Sequence, residues 1–295
     1  MHLRHHLVEA AFLVIFCALV VTQSFVAPVV SLANNGDFGK MIGRFGLGAR
    51  SDGLDSAIAY APTAYVFHPA RYFVTDHMSS ELLLMLPAIF IGWEYAPPEF
   101  DIRIMGAVHA AVLVIGFALL LPLSRGLSQW RRLIVLSSVT LVVSDVHYVS
   151  HLNSFYTDVA ALLGLLFTIA VGLRLVLEDC QGRSWPIAFC VSAFVLIASK
   201  PQHAFLVVCL SPLALVVAGR FGRNRRGYMA AASLILVSIA TLALTPAVER
   251  AMNLYSATFI RIPQVAQSPR GVERAWVEGR IRPSSWAVGL LGGRA

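Results

Sequence analysis

Stretches of roughly 20 apolar residues, each long enough to cross a bilayer as a helix, recur along this chain and constrain its fold more than any other feature. They cover residues 7–30, 104–123, 133–149, 159–177, 185–199, 204–219 and 228–247, which makes about seven crossings. Composition agrees: of 295 residues 57% are hydrophobic and only 13% charged, with mean hydropathy +0.71, against about a quarter charged in an ordinary soluble domain. The fold class expected is therefore an all-α integral membrane protein of about seven spans with a long first extracytoplasmic loop. The net charge of +7 and pI of 9.6 do not indicate nucleic acid, because the arginines fall between apolar runs and form no stripe on one helical face.

Those arginines set orientation instead. Arg125, Arg131 and Arg132, then Arg174 and Arg183, then Arg220, Arg223, Arg225 and Arg226 alternate with connections almost free of positive charge, which puts the N-terminus in the cytoplasm. The stretch after His6 is longer than a signal-peptide core, and Glu9 interrupts its start, so the first span is read as retained. The cysteines, Cys17, Cys180, Cys190 and Cys209, lie in or beside apolar runs without metal-ligand spacing and predict neither a disulfide framework nor a zinc site.

It follows that segments 31–103, 150–157, 200–203 and the tail after residue 248 face outward. The first of these, about seventy residues, far exceeds an ordinary connection and reads as functional. Within it Leu82 to Trp93 is apolar but too short to span; Ser79-Ser80-Glu81 supplies helix-start chemistry before it, and Pro97-Pro98 ends it. An interfacial or re-entrant helix is expected there. The division expected is a membrane domain over 1–250 and an extracytoplasmic basic tail over 251–295, poorly ordered or truncated, since it has no span-length apolar run.

Three outward constellations can carry chemistry. The first is Asn34-Asn35-Gly36-Asp37-Phe38-Gly39-Lys40 with Arg44, immediately after the first span. Asp37 reads either as a helix cap or as a general base or metal ligand, with Lys40 and Arg44 available to an anion. The second is Asn153-Ser154-Phe155-Tyr156-Thr157-Asp158, where Ser154 or Thr157 can cap the following helix and Asp158 complements its dipole. Just upstream, His147 and His151 have helical i, i+4 spacing, which suits either a metal or an interfacial belt with Tyr148. The third is Ser199-Lys200-Pro201-Gln202-His203. The preceding run of 15 residues, 185–199, rises only about 22 Å as a helix. This turn therefore lies below the outer surface, where Lys200 either snorkels to water or binds phosphate.

Together the acidic turn after the first span, the N-S-F-Y-T-D segment and the S-K-P-Q-H turn resemble bacterial glycan hexosyltransferases of the GT-C membrane type, over most of residues 5–265. The resemblance implies a polyprenyl-phosphate-linked sugar donor, a glycan acceptor in the cell envelope and transfer on the outer face of the inner membrane. It makes Asp37 the catalytic carboxylate, which takes or orients the acceptor hydroxyl proton, and Lys40, Arg44, Lys200 and His203 the cations that meet the donor phosphate. Asn35, Asn153, Tyr156, Asp158 and Gln202 are the pocket candidates. Cofactor need is open, a divalent cation being compatible. Asp158 stands where the family favours glutamate, and enzymes of this type continue through more spans, so the chain reads as truncated or frameshifted. Two other functions are weighed: a lipid-linked-sugar flippase, against which no second copy of either polar turn is found, and an inactive scaffold in a glycan assembly complex.

Overall fold

The computed structural model describes residues 2–32, 38, 41–49, 63–68, 78–95, 97–178, 184–220 and 224–247. Asn35, Asp37 and Lys40 lie outside these residues, as does the tail 251–295. The chain divides into a unit of Met1–Leu244 and one of Thr245–Ala295, and every regular element among the described residues belongs to the first.

Each expected apolar run carries a helix. These are α1 (His2–Phe25), α3 (Ile102–Leu120), α4 (Gln129–Val143) with the short α5 (Val146–Val149), α6 (Asp158–Leu177), α7 (Ser184–Ile197), α8 (Val207–Arg220) and α9 (Asn224–Ala243). Three segments are long and apolar enough to cross a membrane: His6–Phe25, Ile102–Gly126 and Asp158–Leu177. Shorter apolar helices cover Ser184–Ile197, Pro201–Val217 and Tyr228–Ala243. The run expected over 133–149 is broken at Ser144-Asp145. Ser144 Oγ donates to the Thr140 carbonyl at 2.7 Å and Asp145 accepts the His147 N–H at 2.8 Å, so local polar side chains end one helix and start the next.

Two apolar cores hold the helices together. In the first, Phe16 and Val20 of α1 meet Leu113 and Phe117 of α3, with Leu136, Val159 and Leu163 completing it; the Phe16 and Phe117 rings stack with centroids 4.0 Å apart. In the second, Val171 and Leu175 of α6 pack on Phe189, Ala193 and Leu196 of α7 and on Leu210, Ala214 and Leu234. Gly164 lets α6 and α7 touch backbone to backbone: a Cβ there would stand 2.8 Å from the Leu196 nitrogen. Outward faces are apolar as well, with Val14, Leu141, Val208, Leu236 and Ile239 exposed, which suits helices solvated by lipid.

One charged group is enclosed near the start of α1. Glu9, only 8% exposed, accepts Arg125 Nε at 2.7 Å and Nη2 at 2.6 Å, and Arg132 Nη2 at 2.9 Å. Arg132 also donates to Ser124 Oγ at 3.1 Å. Two of the arginines that mark orientation in the sequence are thus paired in a bidentate knot that joins α1 to the α3–α4 connection.

The long loop corrects the all-α expectation. It contains an antiparallel sheet of β1 (Leu47–Ala49), β2 (Ala64–Phe67) and β3 (Glu99–Asp101) in that order, with Leu47 opposite Phe67 and Tyr65 opposite Phe100. Alternation turns Tyr65 and Phe67 inward onto a core with Phe38, Met41, Met85, Phe100, Met105 and Phe155. These strands are too short to give a periodic signal. The expected loop helix is present as α2 (Glu81–Tyr95). It buries Glu81, Met85, Ala88 and Gly92 and exposes Leu83, Leu86, Phe90 and Trp93, the two stripes of an amphipathic helix whose outer stripe is itself apolar.

Candidate functional site

Two of the expected polar turns meet. Asp158 opens α6, and Lys200 follows α7 in extended geometry (φ −148°, ψ 151°), as the proline after it requires. Lys200 Nζ donates to Asp158 Oδ2 at 2.5 Å, with the side chains 25% and 41% exposed. Lys200 is therefore an ion-paired cation at a partly solvated position. Its neighbour His203 makes a 2.7 Å contact from Nδ1 to Ser199 Oγ, and Ser199 Oγ also donates to the Leu196 carbonyl at 2.7 Å. A hydroxyl has one proton, so with that proton on Leu196 the imidazole is the donor to Ser199. Burial and the adjacent Lys200 charge push the His203 pKa below the ordinary histidine range, Asp158 opposing. With its Nδ1 proton engaged by Ser199, a neutral His203 presents Nε2 as a hydrogen-bond acceptor and carries no charge, in place of the cation expected there.

The first constellation approaches the second through aromatic packing. The Phe38 ring makes T-shaped contacts with Phe155 and Tyr156, centroids 5.6 and 4.7 Å apart, and Tyr65 packs edge-on to Phe155 at 5.0 Å. Arg44 is half-buried in the 3-10 turn Gly43–Phe45. Tyr156 is half-buried and Gln202 exposed. Asp37, Lys40 and Asn35 lie outside the described residues.

Asn153 has a different task from the pocket role expected of it. It is fully buried, its side-chain amide donates to the Ser24 and Val30 carbonyls at 2.9 and 3.0 Å, and its backbone carbonyl accepts from Ser31 Oγ at 2.5 Å. The side chain ties the chain leaving α1 to the turn before α6. Its Oδ1 occupies the space beside Gly106, where a Cβ would collide with it. His147 and His151 stack edge to face 5.4 Å apart, and His151 Nδ1 donates to the His147 carbonyl at 2.7 Å; no group of three or more metal-ligating side chains occurs among the described residues.

Sequence reasoning missed the deepest polar group. Glu81 and His109 are both completely buried. His109 Nε2 lies 2.8 Å from Glu81 Oε1, and His109 Nδ1 donates to the Leu152 carbonyl at 2.8 Å. Glu81 Oε2 accepts the Ala160 N–H at 2.9 Å. Burial raises the Glu81 pKa above the ordinary carboxylate range, against the pull of His109 and the Ala160 amide. Nδ1 must carry a proton to face a carbonyl, so the shared proton of the pair lies along the Glu81 Oε1–His109 Nε2 contact. The available signal was His109 itself, a titratable side chain inside an apolar run, which by default asks for a named partner. The cap expected for α6 is corrected too: Thr157 makes no side-chain cap bond, and Ser154 Oγ turns back to the His151 carbonyl at 2.5 Å. Glu81, 79 residues away in sequence, supplies it.

The family described as the YfdI N-terminal transmembrane domain matches residues 2–260. The chain belongs to that family. No curated protein and no solved structure matches it. Membership in the YfdI transmembrane-domain family agrees with the mostly helical fold and its three membrane-length helices, and the match takes in the loop sheet, α2, the Asp158–Lys200 pair and the buried Glu81–His109 pair alike. These polar features of the YfdI-type domain belong to its own body, not to an added one.

Proposed function

We propose that this chain is a membrane glycosyltransferase that moves a hexose from a polyprenyl-phosphate donor to a cell-envelope glycan acceptor on the extracytoplasmic face of the inner membrane. In this reading all seven expected runs cross the bilayer, the N-terminus is cytoplasmic, and the short helices frame a cavity instead of meeting lipid along their whole length. The observation that carries it is the meeting of Lys200, Asp158, His203 and Ser199, drawn from two separate turns, close in sequence to the aromatic group that Phe38 joins. Phe38 is the residue after Asp37.

The chemistry follows from those side chains. An acceptor hydroxyl attacks the anomeric carbon, the bond from that carbon to the donor phosphate oxygen breaks, and the hydroxyl proton passes to Asp37 as general base. The departing phosphate gains charge, which Lys200 meets by turning part of its ammonium from Asp158, with Lys40 and Arg44 as further cations and His203 held beside Lys200 by Ser199. A divalent cation is compatible with this scheme and no step in it needs one.

The test is transfer of labelled sugar from a polyprenyl-phosphate donor by membranes containing the chain. Native protein is expected to transfer and Asp37→Asn to lose at least about a hundredfold, the usual scale for a general base. Equal transfer by both would refute the catalytic reading; donor movement across the membrane without transfer would make the chain a flippase, and neither activity would make it a scaffold.

A further inference from the structure

The Asp158–Lys200 pair joins the start of α6 to the turn that follows α7. Asp158 sits in the first turn of α6, whose leading N–H groups have no intrahelical acceptor, and Lys200 follows the last turn of α7, whose final carbonyls have no intrahelical donor. Members of both sets are met by the same three residues. Ser79 Oγ donates to the Ser199 carbonyl at 2.7 Å. Ser80 gives its N–H to the Ala198 carbonyl at 3.0 Å and its Oγ to the Val195 carbonyl at 2.6 Å. Glu81 takes the Ala160 N–H at 2.9 Å, two residues beyond Asp158. Its other oxygen is fixed by His109, which is itself fixed by the Leu152 carbonyl.

We propose that Ser79-Ser80-Glu81 is a positioning clamp for the Asp158–Lys200 pair, with Glu81 as the positioning residue that sets the Asp158 side and the two serines setting the Lys200 side. The clamp is also the first turn of α2, so the long loop and the charged pair form one mechanical unit. Glu81 touches neither charge. It acts through the α6 backbone, and a glutamine can do the same: its carbonyl oxygen accepts the Ala160 N–H, and its NH₂ can donate to the Nε2 of a neutral His109. Alanine can do neither. Calling the pair part of a site rests on the glycosyltransferase reading; the clamp itself does not.

The chain has only two lysines, Lys40 and Lys200, so Lys200 can be followed through its amine. The full chain in membranes is treated with a water-soluble acylating reagent, and modification at Lys200 is read by peptide mass spectrometry. Asp158→Asn, which removes the partner carboxylate, is expected to raise Lys200 labelling about fivefold. Glu81→Ala should raise it by a comparable factor, Glu81→Gln should label as the native chain does, and Asp158→Asn with Glu81→Ala should label no more than Asp158→Asn alone. Native-like labelling of Glu81→Ala, elevated labelling of Glu81→Gln or a fully multiplicative double variant would each overturn the clamp. Should Glu81→Ala not accumulate in the membrane, the double variant Ser79→Ala with Ser80→Ala decides: raised Lys200 labelling upholds the clamp and unchanged labelling refutes it. Absence of sugar transfer by the native chain would remove the enzymatic reading and leave these labelling results standing.

Discussion

His203 stands near a lysine ammonium and half out of water, and both conditions oppose a second positive charge. Its pKa lies below the value of about 6.5 that an unfolded histidine shows, so in the intervening window the unfolded chain holds a proton that the folded chain does not. Folding stability from this group is therefore complete above the unfolded value and falls as pH drops through the window toward the folded value. The same protonation replaces the Nε2 lone pair with an N–H and adds a charge beside Lys200, so an acid limb of transfer activity that His203 imposes should lie below the ordinary histidine range. A His203→Gln variant, which keeps a hydrogen-bond donor and does not titrate, should lose that acid limb; a native-shaped limb in the variant would assign it to another group. Asp158 and Lys200 illustrate the same scale differently. Each was visible as a charged residue beside an apolar run, but their 2.5 Å contact joins positions 42 apart in sequence, and only the fold makes one the answer to the other.

At the scale of elements, the apolar runs showed where helices lie because lipid and core both reward continuous apolar surface. The loop was legible only in part. The amphipathic α2 was found from its apolar length and its serine-rich start, whereas β1 to β3 escaped because strands of three or four residues carry too few alternations to be counted. The clamp was half read: Ser79-Ser80-Glu81 signalled a helix start, but its side chains serve α6 and α7 more than α2, and long-range capping leaves no local pattern. Close helix contact makes a sharper prediction. At Gly164 the atoms facing a new Cβ are Leu196 backbone nitrogen at 2.8 Å and Cα at 3.0 Å, and backbone cannot rotate aside. Gly164→Ala should separate α6 from α7 and lower stability by about 1–3 kcal/mol. Thermal unfolding of the detergent-solubilised chain would read this as a lower midpoint, and an unchanged midpoint would mean that the two helices already have room to part.

For the whole molecule, the proposed site depends on which way the helices run through the bilayer. Single cysteines at Asn35, Arg131, His203 and Arg225 are expected to label from outside, inside, outside and inside in turn with a membrane-impermeant thiol reagent. Asn35 and Arg131 labelling from the same side would separate the parts of the proposed site and end that reading. The knot of Glu9 with Arg125 and Arg132 bears on how such an arrangement is reached. Its arginines follow the carboxylate by 116 and 123 residues, so during synthesis Glu9 emerges long before either partner exists. Until the α3–α4 connection has been made that carboxylate has neither arginine to pair with, so the bonds that tie the start of α1 to the later helices form late. A helix made early in the chain is in this sense among the last to be tied to its neighbours.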